Sequence, residues 1–201
     1  MGGYTMKKLY KLSILLLILL FPAFAFAGGG ATAMMMGASG AVASGTETIG
    51  VETPGGTALA TSAGYLILSA LDTAAHSGTF QTISMYFACS SASQDLKLGL
   101  YDGATASTAA LVGYLEYANP GVVAAGWHDL DVSGQGWSAV AGHSYWIGYN
   151  TNDTAINYYY DESGANSGYA LLQTYTNAWP DPYGAGSGGT KLRSLKATIA
   201  Y

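Results

Sequence analysis

The chain predicts an all-β fold: an antiparallel two-sheet β-sandwich, jelly-roll-like, of about nine or ten strands after a signal peptide. Three observations predict it. Charged residues make up only 9 % of the 201, while glycine reaches 28 and tyrosine 16. Past residue 46 no segment keeps a helical spacing of apolar residues over helix length. Short runs alternating apolar and polar residues recur instead, separated by Gly, Asn, Asp and Pro, as expected of strands that each bury one face. Two stacked antiparallel sheets are the simplest way to bury those faces together.

The N-terminus stands apart. Lys7, Lys8 and Lys11 precede an apolar run from Leu12 to Phe24, and Ala25-Phe26-Ala27 follows as a small-x-small cleavage site. Residues 1–27 therefore predict a secretory signal peptide; the apolar run is short for a membrane span, which needs about 20 residues. Cleavage after Ala27 implies a secreted, extracellular or periplasmic product with no membrane attachment. It removes three lysines and no acid, so the charge moves from -5 to -8. Only Lys97, Lys191, Arg193 and Lys196 remain as cations, which argues against nucleic acid as a partner. Residues 28–46, rich in Gly, Ala and Met, predict a flexible leader, and residues 47–201 the sandwich domain. Cys89 is the single cysteine; it falls on the same strand face as Ile83, Met85 and Phe87, which predicts a buried thiol.

The elements follow in order. Thr48 to Glu52 is a weak first strand. Tyr65 to Leu71 is a near-continuous apolar run, expected of a strand buried on both faces. Thr79 to Cys89 and Asp95 to Tyr101 alternate, with Ile83, Met85, Phe87, Cys89, Leu96, Leu98 and Leu100 inward, and predict a half-buried hairpin turning at Ser90 to Ser93. Ala110 to Tyr117, Trp127 to Val132 and Trp137 to Val140 are further strands. The aromatic runs Gly142 to Asn150 and Ala155 to Glu162 flank the turn formers Thr151-Asn152-Asp153-Thr154, which predicts a second hairpin. Its expected register sets Tyr149 against Ile156, Ile147 against Tyr158 and Tyr145 against Tyr160 on the core side. Gly148 would face Asn157, and Trp146 would face Tyr159, on the other side. Tyr169 to Tyr175 is a strand, Asn177 to Gly189 a long loop, and Lys191 to Tyr201 the last strand, with Leu195, Ala197, Ile199 and Tyr201 inward.

Gly126-Trp127, the strand through Leu130 and Val132, and Ala141-Gly142-His143-Ser144-Tyr145-Trp146-Ile147 form a G-W … A-G-x-x-Y-W-I pattern preceded by a Leu96 to Asp102 strand. In this the chain resembles bacterial secreted jelly-roll or β-sandwich accessory modules of unknown function. The resemblance spans roughly residues 66–160. It implies a sandwich fold in an exported protein and transfers no catalytic residue.

The chemistry on offer is that of binding rather than catalysis. Sugars present C–H faces to flat rings and hydroxyls to amides and acids. Trp146, Tyr159, Asn157 and Asp161 would form such a set on the outer side of the second hairpin, with Trp179 and Tyr183 as another wall. The expected partner is a polysaccharide or cell-surface glycan. A structural calcium ion is the cofactor the loops could hold, with Asn152 and Asp153 in one turn and Asp161 and Glu162 in another; otherwise no cofactor is expected. Self-association, as a structural subunit of a matrix, fibre or surface layer, is the alternative function. A glycosidase-type pair at Asp129 and Asp131, two residues apart on one strand face, is a third reading. His76, His128 and His143 have no partner at metal-binding spacing.

Overall fold

A computed structural model of the chain describes residues 44–117, 119–163 and 167–201. The predicted signal peptide, and the leader up to residue 43, lie outside these residues.

Fourteen strands are present among the described residues: β1 (Thr46–Gly50), β2 (Thr57–Ala60), β3 (Tyr65–Thr73), β4 (Gly78–Cys89), β5 (Leu96–Asp102), β6 (Ala110–Tyr117), β7 (Val123–Asp131), β8 (Ser138–Ala139), β9 (Ser144–Thr151), β10 (Ile156–Glu162), β11 (Gly168–Leu172), β12 (Ser187–Gly189), β13 (Lys191–Arg193) and β14 (Leu195–Ala200). The count exceeds the expected nine or ten because β2 and β12 are short pieces in segments that carry loop composition, and the predicted last strand is divided at Ser194 into β13 and β14. The six-stranded sheet runs β12-β11-β3-β9-β5-β6. The eight-stranded sheet follows β1-β14-β4-β10-β13, with β7 and β8 also on β4 and β2 on β10. All pairings are antiparallel, for example Tyr86 with Trp127 and Leu98 with Tyr149. β13 and β14 form one bent strand. It runs along β10, turns at Ser194 and continues along β4, so it fills the fork where those two strands diverge. Ser194 secures the bend: its N–H donates to Tyr159 O (2.9 Å), its carbonyl accepts from Tyr86 N (2.9 Å) and its Oγ from Gly55 N (2.8 Å).

Neither predicted hairpin exists. β4 lies in the eight-stranded sheet and β5 in the other; β9 and β10 are likewise divided between the sheets. Each connection is an arch that crosses between layers. The inward sets are nevertheless those the alternation predicts. Ile83, Met85, Phe87, Cys89, Leu96, Leu98, Leu100, Tyr145, Ile147, Tyr149, Ile156, Tyr158, Tyr160, Leu195, Ala197 and Ile199 all join one buried core. Alternation reports which face of a strand is buried; it carries no information on whether the next strand continues in the same sheet or faces it across about 10 Å. Tyr149 and Tyr158 thus meet across the interlayer space, ring centroids 5.8 Å apart, on strands that do not pair. Tyr201 departs from its expected inward position and stacks on His76 at 3.9 Å.

The two arches are fastened to each other. Asn152 Oδ1 accepts from Asp95 N (2.9 Å) and from the Gln94 amide, and its Nδ2 donates to Asp95 Oδ2 (2.8 Å). Gln94, fully buried, accepts from Ala155 N at 3.1 Å, and Ser90 N donates to Ala155 O. Asn152→Ala leaves the Asp95 N–H and the Gln94 amide short of partners. It is expected to destabilise the fold by about 1–3 kcal/mol, read as a lower urea midpoint at unchanged m-value.

Candidate functional site

The predicted binding residues do not share a face. Because β9 and β10 belong to different sheets, Trp146 lies on the outer side of the six-stranded sheet, while Asn157, Tyr159 and Asp161 lie on the outer side of the eight-stranded one. The single aromatic hairpin face expected from the sequence is therefore replaced by two surfaces on opposite sides of the molecule.

The first surface is sealed. Trp146 is 6 % exposed, Trp179 5 % and Tyr183 1 %, and all three belong to a second apolar cluster with Leu66, Leu68, Tyr101, Ala106 and Ala109. The cluster explains the apolar run of β3, which is covered on both sides. The segment between β11 and β12 lies across the sheet and is held there by polar bonds. Tyr101 Oη donates to Pro180 O (2.9 Å), Tyr183 N to Ala109 O (3.0 Å), Leu111 N to Asp181 Oδ1 (2.9 Å) and Asn150 Nδ2 to Gln173 O (2.9 Å). Trp146 donates its indole N–H to Gly103 O at 2.8 Å. Beneath Trp179, Gly99 of β5 faces Gly148 of β9. A Cβ would fall 2.5 Å from the indole at Gly99 and 2.9 Å from it at Gly148, so the paired glycines form the flat bed on which the ring rests.

The second surface is built differently. On the outer side of the eight-stranded sheet, Trp127, Tyr86 and Tyr159 come from three neighbouring strands, β7, β4 and β10. Tyr86 stands edge-to-face with both others, at 5.6 Å from Trp127 and 5.0 Å from Tyr159. All three rings are half-buried. The ladder lays polar rows beside them. Asp129 pairs with Ser84, which pairs with Lys196; Asp131 pairs with Thr82, which pairs with Thr198. Lys196 Nζ sits 4.2 Å over the Trp127 ring. Asn157 lies one row further along, opposite Ala88, and Asp161 accepts from Gly56 N at 2.9 Å. Trp127 and Tyr86 are the residues that sequence reasoning leaves out of the site. The signal for them was their outward position on alternating strands, and only the pairing of β7, β4 and β10 joins them to Tyr159.

The carboxylates divide in the same way. Asp129 and Asp131 are exposed on the outer side of β7. Hydrogen bonds from Ser133, among them Ser133 N to Asp131 Oδ1 at 2.9 Å, hold the Asp131 carboxyl below the usual carboxylate value. Of the four residues considered for calcium, Asn152 fastens the arches, and Asp153 caps its own turn by accepting from Thr154 N. Asp161 and Glu162, at the far end of β10, accept from Gly56 N and Thr190 Oγ1. Asn152 and Asp153 precede β10, so the two pairs sit at opposite ends of that strand. Among the described residues no group of three or more His, Cys, Asp or Glu is placed to hold a metal ion. Two histidines that look isolated in sequence each meet a carboxylate, His76 with Glu47 at 3.2 Å and His143 with Asp102 at 2.9 Å. His128 instead lies against Phe87 at 4.1 Å. Cys89 is buried and unpaired, as expected.

No protein-family model matches the chain, and no curated protein matches it in sequence.

Proposed function

We propose that this is an exported, non-catalytic module that binds a carbohydrate polymer on the outer side of its eight-stranded sheet. The observation that carries the reading is the row Trp127, Tyr86 and Tyr159: three partly exposed rings on rigid paired strands, flanked by carboxylates, hydroxyls and an amide. Rings of this kind pack against sugar C–H faces, and the polar rows supply partners for hydroxyls. The signal-peptide pattern of residues 1–27 supports export.

Affinity electrophoresis through gels containing neutral and acidic polysaccharides tests the reading. Wild-type protein is expected to be retarded, and Trp127→Ala or Tyr159→Ala to weaken retention about tenfold, equivalent to about 1.4 kcal/mol per ring. Both variants should keep the wild-type circular dichroism spectrum. Wild-type migration unchanged across the whole panel would remove the proposal.

A further inference from the structure

At one edge of the sandwich, where β12 hands over to β13, a cavity of about 270 Å³ opens between the sheets. Gly168, Ser187, Gly188 and Gly189 line it together with Lys191 and Arg193. Arg193 is the unusual member. It is 8 % exposed, yet among the described residues no carboxylate lies within ion-pair distance of it; the ion pairs there involve His76 and His143. Its Nη1 donates to two backbone carbonyls, Lys191 O at 3.2 Å and Leu68 O at 3.4 Å, and its guanidinium lies 5.4 Å over the Tyr158 ring. Its Nε is buried with no hydrogen-bond partner.

A buried guanidinium is costly unless an anion compensates it, and this chain, at net -5, has carboxylates to spare elsewhere. None is used here. The cavity is shaped around the charge instead. A Cβ at Gly168 would come within 2.1 Å of Arg193 Nη1, so the glycine is what admits the guanidinium to this position. Gly188 and Gly189 leave the facing edge strand without side chains, so a small ligand can approach its backbone. Lys191, also in the lining, adds a second positive charge; its Nζ is 5.2 Å over the Tyr160 ring.

We propose that this cavity is a binding site for a small oxyanion, held by Arg193 and Lys191 against the glycine edge of β12. Arginine meets carboxylate, sulfate and phosphate alike through paired N–H donors. The shared chemistry is an oxyanion on a ligand small enough for the cavity, borne by an acidic sugar or free in solution. The site lies on different strands from the ring row and stands independently of it.

The test uses the full chain, titrated with phosphate, sulfate and glucuronate at constant ionic strength, with chloride as control. The thermal midpoint and the amide resonances of Gly188 and Gly189 are followed. The expected result is a saturable rise in midpoint with at least one oxyanion and movement of both glycine amides. Lys191→Ala should weaken it by about threefold or more, as expected for loss of one charged contact, and Arg193→Met should abolish it. Should Arg193→Met fail to fold, Lys191→Ala and the glycine resonances decide. A response to glucuronate alone assigns an acidic sugar; a response to phosphate and sulfate alone assigns a free tetrahedral anion. Responses equal to chloride for all three would overturn the site, as would a saturable response that Lys191→Ala leaves unchanged. Loss of the response in Trp127→Ala would overturn it too, by placing the anion on the outer face.

Discussion

Trp179→Ala is expected to destabilise the protein by about 3–5 kcal/mol, the range for truncating a buried tryptophan. The indole stacks on Tyr114 at 4.9 Å and lies near-parallel to Tyr101 at 6.1 Å, over the glycine pair of β5 and β9. Its removal takes away the ring that joins the covering segment to the sheet, and the glycine bed has no side chain with which to fill the space. Urea unfolding should show a midpoint far below wild type, with the signal of the covering segment lost first in amide exchange. Trp127→Ala, on the opposite side and half-buried, should cost clearly less. The two substitutions therefore separate structural from recognition roles: Trp179→Ala acts through stability and Trp127→Ala through retention on polysaccharide. Equal stability of Trp179→Ala and wild type would show that the second cluster contributes nothing to the fold.

The legibility of this fold in sequence has a physical boundary. Which residues face inward was readable almost throughout, because burial of one strand face imposes a period of two on composition. The partners of those strands were not readable. Thr151-Asn152-Asp153-Thr154 and Ser90 to Asp95 are polar segments short enough for a hairpin and long enough to cross between sheets. What decides between them is long-range. Asn152 and Gln94, 58 residues apart, bond across the two arches, and β4 is already flanked by β7, β10 and β14. The candidate site suffered accordingly. Tyr159, Asn157 and Asp161 lie outward as alternation predicts, but Trp146 lies on the other side of the molecule because its strand belongs to the other sheet. Trp179 and Tyr183 have the composition of an exposed proline-stiffened loop and are instead among the most buried rings. Gly99 and Gly148, in the interiors of two strands, were the available clue that something packs closely there.

Stability should fall steeply in alkali, beginning near the pH at which a free phenol ionises. Tyr101, Tyr149 and Tyr183 are each at most 2 % exposed, and burial holds all three phenols well above the ordinary tyrosine value. Tyr183 and Asp181 push Tyr101 further in the same direction, whereas the Arg193 charge works against the shift at Tyr149 and Tyr183. An unfolded tyrosine releases its proton at about pH 10, but the native phenols keep theirs to higher pH. Above about pH 10 the native state thus binds more protons than the unfolded state, and raising the pH favours unfolding. Below it the contribution is fully present and pH-independent. Each such phenol tilts the balance by about 1.4 kcal/mol per pH unit, so three together overcome a typical domain stability within a few units. Urea midpoints measured from about pH 8 to 11 should be level at first and then drop, with ionisation of these three buried phenols accompanying unfolding rather than preceding it. Tyr183→Phe keeps the ring but loses the donor to Leu66 O. It should start lower in stability and then fall less steeply, by about 1.4 kcal/mol per pH unit. Tyrosinate absorbance from these three residues in a still-folded protein would show that solvent reaches the second cluster, and a covering segment that opens so readily would restore Trp179 and Tyr183 as candidates for ligand contact.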